Sequence, residues 1–427
     1  MRKSQIYFFY LLGLITIFTG WWTNSGSLFT TDSASIFLAL GRIFGLLAFY
    51  GLLCQFLLIG RIPFFTKRIS FDRLTRWHHY HSMPVVLFIL LHFIFITTSA
   101  SSFTGSTFLS QLANFLRFEE TRNAFIALCL FLAIGLISYI FSRIKMKYEN
   151  WYFIHLMVYV AILVSFGHQL ELGGDFSSFL FRAFWLGLGL AVLCLFVWYR
   201  FIVLLIKNYR HQFVVNRVVN ENSDSYSIYI SGSDIEKYRF QPGQFAGFRF
   251  LATGLFFQAH PFSFSSVPGQ TQLRITIKNL GDYTKELVAQ LKPGVRVIID
   301  GPHGQFVITE PVKKAVLIAG GIGITPIISL LASLKNRPIE KHCFYSAKNQ
   351  TEFIFTAELN QLEPSLHYHE SDTTGHLTLE HIKSVVSNLS EYHYYICGPQ
   401  PMLKVFRSAL LAAGVSKGQI HYELFSY

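Results

Sequence analysis

The sequence predicts a multidomain membrane protein: a six-helix transmembrane bundle, then an antiparallel β-barrel, then an α/β domain of Rossmann-like type. Three observations predict this order. Six apolar stretches of roughly membrane-crossing length fill residues 1 to about 206. Short alternating stretches separated by Gly, Pro and Asp follow, as strands and tight turns require. A strand, a glycine turn and a helix then recur from Lys314 onward, the pattern of an open parallel sheet.

The apolar half comes first. Of 427 residues, 52% are hydrophobic and the mean hydropathy is +0.38, which excludes a wholly water-soluble globular chain. Spans are expected at about 5–22, 35–59, 78–99, 123–141, 151–170 and 179–206. Arg2 and Lys3 precede the first, but no small-residue cleavage site follows, so a retained helix is expected and not a signal peptide.

Charge orients these spans. Arg61, Lys67, Arg68, Arg73 and Arg76 crowd the segment after span two; Arg143, Lys145 and Lys147 that after span four; Lys207 and Arg210 the exit of span six. The turns at Thr23–Ser35 and Glu171–Ser178 carry no Lys or Arg. Cytoplasmic loops collect Lys and Arg, so both termini and everything after span six are expected in the cytoplasm of a multi-pass cell-membrane protein. The net charge of +12 follows from those loops and the soluble half, and needs no nucleic-acid partner.

Four histidines lie inside two of these spans: His78 and His92, 14 residues apart, and His155 and His168, 13 apart. Ionisable side chains within lipid are costly and mark function. On an ideal helix His92 lies roughly 21 Å above His78 and about 40° short of the same azimuth. His168 lies roughly 19.5 Å from His155 but about 140° round, so a local distortion or divergent rotamers are needed. His79 and His81 compete with His78; His81 to His92 rises only about 16.5 Å, so matched depths favour His78. Two imidazoles at each of two depths suit a pair of stacked haems. Arg42, near the outer start of span two, needs an anion or a polar cavity and suits a haem propionate or a reduced-oxygen pocket; a structural snorkelling role is the other reading. Five cysteines (Cys54, Cys129, Cys194, Cys343, Cys397) form no CxxC pair, which argues against disulfides and iron–sulfur clusters.

In the soluble half, Tyr226–Ile230, Gly247–Phe250 and Leu273–Ile277 read as strands of a barrel over about 211–308. Beyond it, Ala315–Ala319 leads into Gly320-Gly-Ile-Gly-Ile-Thr-Pro326 and the helix Ile327–Lys335, with later strands at His342–Ser346 and Tyr392–Cys397. Glycines let backbone approach a pyrophosphate, and the following helix N-terminus offers unpaired N–H groups. Thr325 is expected to cap that helix and Pro326 to take its first position. Domain limits of 1–208, 209–310 and 311–427 follow.

Several motifs in order carry a family resemblance: Gly41-Arg42, Gln55, Arg61-Ile-Pro63, Asp72-Arg73-Leu74 and the four histidines; then Pro242-Gly-Gln-Phe245, His260-Pro-Phe-Ser263, Leu280-Gly-Asp-Tyr-Thr284, Gly301-Pro-His-Gly304, Gly320–Pro326, and Cys397-Gly-Pro399 with Met402. The soluble half resembles the ferredoxin–NADP reductase-like module, and the whole chain resembles a bacterial NADPH oxidase of the NOX/ferric reductase family. The resemblance implies FAD, two haem b and NADPH as cofactors. By it His78, His92, His155 and His168 are axial haem ligands. His260 and Pro261 belong to the flavin loop, with Phe262 against the isoalloxazine and Ser263 near its reactive nitrogen. Lys278, Gly281, Tyr283 and Thr284 hold the FAD pyrophosphate, and Gly304 falls in another matching turn. Gly320, Gly321, Gly323, Thr325 and Pro326 hold NADPH phosphates, and Cys397, Gly398 and Pro399 border the nicotinamide. A C-terminal aromatic, Tyr427 or Phe425, shields the flavin. Ser346 and Lys348 stand where relatives carry Arg for the NADPH 2′-phosphate; Lys binds phosphate without the bidentate fork. No DxDxDG calcium loop is present.

The implied activity is electron transfer from cytoplasmic NADPH through FAD and the haems to oxygen outside, forming superoxide, with the lipid bilayer as surroundings and no obligate protein partner. The acidic groups of the outer loops, Asp32, Glu119, Glu120, Glu171 and Asp175, are scattered and form no metal-holding cluster. A ferric or other metal reductase using the same path is the alternative; a non-catalytic haem-binding relay or sensor is a third reading.

Overall fold

The structure, a computed structural model, describes residues 4–424 apart from 31, 142, 145, 309–311 and 364. Two compact units form, Met1–Ile202 and Val203–Tyr427.

In the first unit the six apolar stretches are helices long and apolar enough to cross a membrane. They are α1 (Ser4–Ser25), α2 (Ser33–Ile59), α3 (Phe71–Thr104), α4 (Glu119–Ile140), α5 (Tyr148–Leu172) and α6 (Phe179–Val197). Asp32 caps α2 by accepting from the Ser35 amide at 2.9 Å, and Ser178 caps α6 from Phe181 at 3.5 Å. The third helix starts at Phe71, seven residues before the expected span at 78. Arg73 and Arg76 make its first two turns polar, so hydropathy hides helix that the backbone continues. Pro84 lies inside α3 without ending it. After α6 the chain passes through a π-helical turn, Trp198–Ile202, to the helix Val203–His211.

Small residues set the packing of α2 on α3. A Cβ on Gly41 would lie 2.7 Å from the Ile96 side chain, and one on Gly45 2.8 Å from His92 Nδ1. Glycines four apart bring the helices this close, as in membrane helix pairs generally.

The second unit begins its sheets at β1 (Val214–Asn220), followed by β2 (Ser225–Ser231), β3 (Phe245–Phe250), β4 (His260–Ser263), β5 (Leu273–Lys278) and β6 (Val297–His303). They form two three-stranded antiparallel sheets, β1-β2-β5 and β4-β3-β6. Bridges Val214–Arg296 and Phe264–Ile275 join the sheets at both edges and close the expected barrel. Inward residues alternate along each strand; Ile228, Ile230, Phe248, Phe250, Ile275 and Ile299 are fully buried.

The remaining strands are β7 (Lys314–Gly320), β8 (Glu340–Ala347), β9 (His367–Glu370), β10 (His393–Gly398) and β11 (Ile420–Leu424). All pair in parallel in the order β11-β10-β7-β8-β9. The chain runs outward from β7 to β9, then crosses back to β10, so the order reverses between β7 and β10. That is the switch point at which open parallel sheets place their ligands.

Barrel and parallel sheet meet through polar contacts within this unit. Arg274, only 11% exposed at its side chain, binds Glu358 through two bonds of 2.7 and 3.1 Å and lies over the Phe355 ring. Lys278 bridges Asp224 at 3.2 Å and Glu352 at 3.1 Å. Burial pulls the Lys278 ammonium down, but the bonds to Glu352 and Asp224 outweigh it and hold it above the usual lysine range. Removing the planar fork strands Glu358 beside Phe355. Arg274→Ala is expected to cost roughly 1–3 kcal/mol, read as a lower thermal midpoint of the detergent-solubilised full chain, with Arg274→Lys recovering only part of it.

Candidate functional site

Inside the membrane unit the four histidines meet in two pairs. His78 faces His155 with ring centroids 6.0 Å apart, and His92 faces His168 at 6.1 Å. Both pairs join α3 to α5. Helix α5 runs unbroken from Tyr148 to Leu172, so the azimuth mismatch between His155 and His168 needs no break in the helix. His79 is exposed and packs on Tyr80. His81 turns to Tyr10, ring centroids 6.1 Å apart, and joins neither pair.

These spacings fit a metal between the rings. Two metal–imidazole bonds of about 2.0 Å end to end, with the two ring radii, separate the centroids by roughly 6 Å. The rings of the two pairs stand at interplanar angles of 79° and 39°. Three of the four second nitrogens are also placed as ligand chemistry requires. His92 Nδ1 lies 2.8 Å from the Gly41 carbonyl, and His168 Nδ1 lies 2.5 Å from that of Ser165. Both bonds make Nδ1 the N–H donor and free Nε2. His155 Nδ1 lies 3.4 Å from the Ser138 hydroxyl, which accepts the Trp151 indole N–H at 3.3 Å. Gln55 Nε2 donates to the His78 carbonyl at 3.1 Å. Gly45, Ser138 and Ser165 were not singled out from the sequence; the Gly41-xxx-Gly45 spacing was the available signal.

Arg42 is tied into a buried network. Its Nη1 donates to Ser25 Oγ at 3.1 Å, and Ser25 donates to Asp175 at 2.5 Å. Ser25 is fully buried and Asp175 is 3% exposed. Burial raises the Asp175 carboxyl, against the pull of Ser25 and Arg42. A Cβ on Gly174 would strike the guanidinium. Neither Ser25 nor Asp175 carried a motif, since they meet Arg42 only through folding.

In the barrel, His260-Pro-Phe-Ser263 is strand β4, whose Ser263 lies opposite Phe245, itself opposite His303 of β6. Ser263 is 3% exposed, Phe262 packs on the barrel core, and Pro261 is exposed. His260 stacks on Tyr283 with centroids 3.6 Å apart. Gly304, at φ +98°, puts its carbonyl 3.2 Å from Gln244 Nε2. In the turn before the helix Asp282–Gln290, Leu280 and Gly281 amides donate to Thr284 Oγ1 at 3.1 and 3.0 Å. The Tyr283 hydroxyl and Asn279 Oδ1 are buried with no hydrogen-bond partner among the described residues. Burial pushes the Tyr283 phenol up, keeping it a donor. Two orphaned polar atoms in one turn fit a polar cofactor there, and Asn279 joins the candidates. Lys278 is the exception: its ammonium faces Asp224 and Glu352, a structural bridge and not an open anion site.

At the switch point the carboxyl ends of β7 and β10 converge. A Cβ on Gly323 would strike the Cys397 carbonyl, and one on Gly320 would lie 3.0 Å from Pro399. Gly398 lies beside them, and Ser346 pairs with Gly320 in register on β8. Gly321 takes a φ of +53°, turning the chain into a 3₁₀ turn, Gly321–Gly323, and the helix Ile324–Leu334. The expected cap is displaced. That turn starts the helix at Ile324, so Thr325 is its second residue and donates to the Ile322 carbonyl at 3.0 Å, and Pro326 is its third. Gly323 stands at the N-cap with no side-chain bond; the Ile324 amide donates to the Gly321 carbonyl and Pro326 has no N–H, so this first turn offers an anion at most the Thr325 amide. Lys348 is exposed just past β8. Cys397 is fully buried, its thiol pushed well up by burial and directed at the Glu423 carbonyl 3.9 Å away. Phe425 and Tyr427 lie outside the described residues.

Comparison with known proteins matches three descriptions in this order: "Ferric reductase like transmembrane component" over residues 44–166, "FAD-binding domain" over 212–307 and "Oxidoreductase NAD-binding domain" over 317–408. The chain has the NOX/ferric reductase-like architecture. In this NOX/ferric reductase-like chain the first match includes His78, His92 and His155 and ends two residues before His168. Similar relatives include flavohemoprotein A of Dictyostelium discoideum, 28% identical over 237 residues, covering 50% of this chain and 60% of that protein. An NADPH oxidoreductase of Mycobacterium tuberculosis is 29% identical over 223 residues, covering 49% and 58%. The chain thus spans about 60% of the length of the first curated relatives it matches. Among solved structures, the FAD/NAD-binding domain of nitric oxide dioxygenase from Vibrio cholerae is 26% identical over 50% of this chain and 98% of that one, at a TM-score of 0.45.

The crowded switch point yields a direct test. Gly323→Ala drives a Cβ into backbone that cannot swing aside, and is expected to cost roughly 1–3 kcal/mol. Thermal unfolding of the full chain checks it, with Gly418→Ala, which meets nothing within 4 Å, as the control.

Proposed function

We propose that this chain is a superoxide-forming NADPH oxidase in which FAD and two haem b supply the conversion of hydride to single electrons and their path across the bilayer. One NADPH and two oxygen molecules give NADP⁺, a proton and two superoxide ions. The observation that carries the reading is the pairing of four imidazoles on α3 and α5 at 6.0 and 6.1 Å. It is supported by the ferric reductase-like, FAD-binding and NAD-binding descriptions in series.

In this reading the domains are 1–208, 209–310 and 311–427, with both termini and the flavin and nucleotide domains cytoplasmic. His78 with His155 holds the inner haem and His92 with His168 the outer. The Gly41 and Ser165 carbonyls fix the outer rings with Nε2 toward the metal. His260, Phe262, Ser263, Tyr283 and Thr284 seat the flavin; Gly320–Gly323 and the helix N-terminus after them seat the nucleotide phosphates. Ser346 and Lys348 flank the 2′-phosphate, and Cys397–Pro399 line the nicotinamide end. Tyr427 or Phe425 would shield the flavin ring. Arg42, fixed through Ser25 to Asp175, holds a positive charge at the outer end of α2, where preorganised charge favours a developing anion.

Two experiments test this. His92→Ala or His168→Ala is expected to remove one haem of two, His78→Ala or His155→Ala the other, and His81→Ala neither, as counted by pyridine haemochrome. For the acceptor, purified protein with FAD and haem should consume NADPH in air far faster than under nitrogen, with dismutase-sensitive cytochrome c reduction. Rapid ferric reduction without oxygen, and no dismutase sensitivity with it, would establish the metal-reductase alternative.

A further inference from the structure

Three of the four imidazoles assigned to haem iron have a partner at Nδ1: the Gly41 carbonyl for His92, the Ser165 carbonyl for His168 and the Ser138 hydroxyl for His155. The fourth does not. His78 Nδ1 is buried with no hydrogen-bond partner among the described residues. Against it stands Gln55 of α2, 9% exposed, whose Nε2 donates to the His78 carbonyl at 3.1 Å. The Gln55 Oε1 is also buried and unpartnered among the described residues.

The orientation of that amide is settled by its partner. Only the NH₂ end can face a carbonyl, so the orphaned end is the acceptor. An acceptor oxygen and a donor-capable ring nitrogen therefore sit, both without a partner among the described residues, on two residues already joined through the His78 backbone carbonyl. The torsions that separate them, χ3 of Gln and χ2 of His, are the broad sp³–sp² kind that turn at little cost. Each orphan bears a desolvation cost that one shared bond removes.

A second observation points the same way. The outer ligand of α3, His92, is held by Gly41 of α2. Gly41 and Gln55 are 14 residues apart, as are His92 and His78. Each α2 residue touches its counterpart, Gly41 at His92 and Gln55 at His78, so α2 runs opposite to α3 and equal spacings reach equal depths.

We propose that Gln55 is the positioning residue of the inner haem: its Oε1 accepts the Nδ1–H of His78, while its Nε2 holds the His78 carbonyl, leaving His78 Nε2 for the iron. The proposal rests on the haem reading above. An acceptor at Nδ1 fixes the tautomer and raises the basicity of the ligand, which favours ferric iron and lowers the potential of that haem.

The test is a redox titration of the haem bands of the full chain in detergent, the inner wave being the one His155→Ala removes. Gln55→Met, which keeps the bulk and removes the amide, is expected to shift the inner wave upward and leave the outer wave in place, with two haems retained. Gln55→Glu, which keeps an acceptor oxygen at the same reach, is expected to hold the inner wave at or below its wild-type position. An unmoved inner wave in a Gln55→Met protein that still binds two haems would overturn the inference, leaving Gln55 a backbone support only. If Gln55→Met does not fold, Gln55→Asn, whose amide is one methylene short, is read in its place by the same criterion. Wild-type protein without a bis-imidazole spectrum would overturn the haem reading, and this proposal with it.

Discussion

Apolar surroundings allow no unpaired polar group to stand without cost, and the membrane unit is organised by that constraint. Four imidazoles on α3 and α5 must each satisfy two nitrogens where no water serves. The solution is layered. The rings pair across α3 and α5 with centroids 6.0 and 6.1 Å apart, and three of the four, His92, His168 and His155, find an oxygen at Nδ1. The glycines at 41 and 45 belong to the same solution, because only bare backbone lets α2 approach His92 closely enough for the Gly41 carbonyl to act as its acceptor. Helix packing and ligand orientation are one problem here.

The same constraint explains Arg42. A guanidinium near the end of a span needs oxygen, and Ser25 with Asp175 brings it from two other segments of the chain. In the second unit the rule works in reverse. Where the barrel leaves Tyr283 and Asn279 with buried atoms that have no partner among the described residues, polar groups are left for a ligand. Lys278 shows the contrast: its charge is already spent on Asp224 and Glu352 across the barrel–sheet junction.

Close backbone approach is the second recurring device. At the switch point the turn after β7 and the end of β10 come together so tightly that Gly323 has no room for a side chain. This crowding is where a parallel sheet opens a crevice at its carboxyl edge, and it brings Ser346, Gly320 and Gly398 into one neighbourhood from three separate strands. Cys397 reaches the same place but turns its thiol away, so its contribution to the crevice is the path of its backbone.

Much was legible in the sequence because it depends on local period and order. Hydropathy over some twenty residues marks a span, alternation marks a barrel strand, and a glycine turn between strand and helix marks the nucleotide end. Helical rise alone favoured His78 over His81 as the depth partner of His155, since both quantities are set by backbone geometry common to all α-helices. What the sequence could not determine were contacts whose partners lie far apart along the chain. The Asp175–Ser25–Arg42 network, the Gly41 carbonyl at His92 and the Arg274–Glu358 pair exist only once helices and sheets are packed. The helix start at Ile324, which displaces Thr325 from its expected cap, was likewise decided by how tightly the turn packs on β10. Periodicity reports which face of an element is buried; which atom it meets there is decided by tertiary packing.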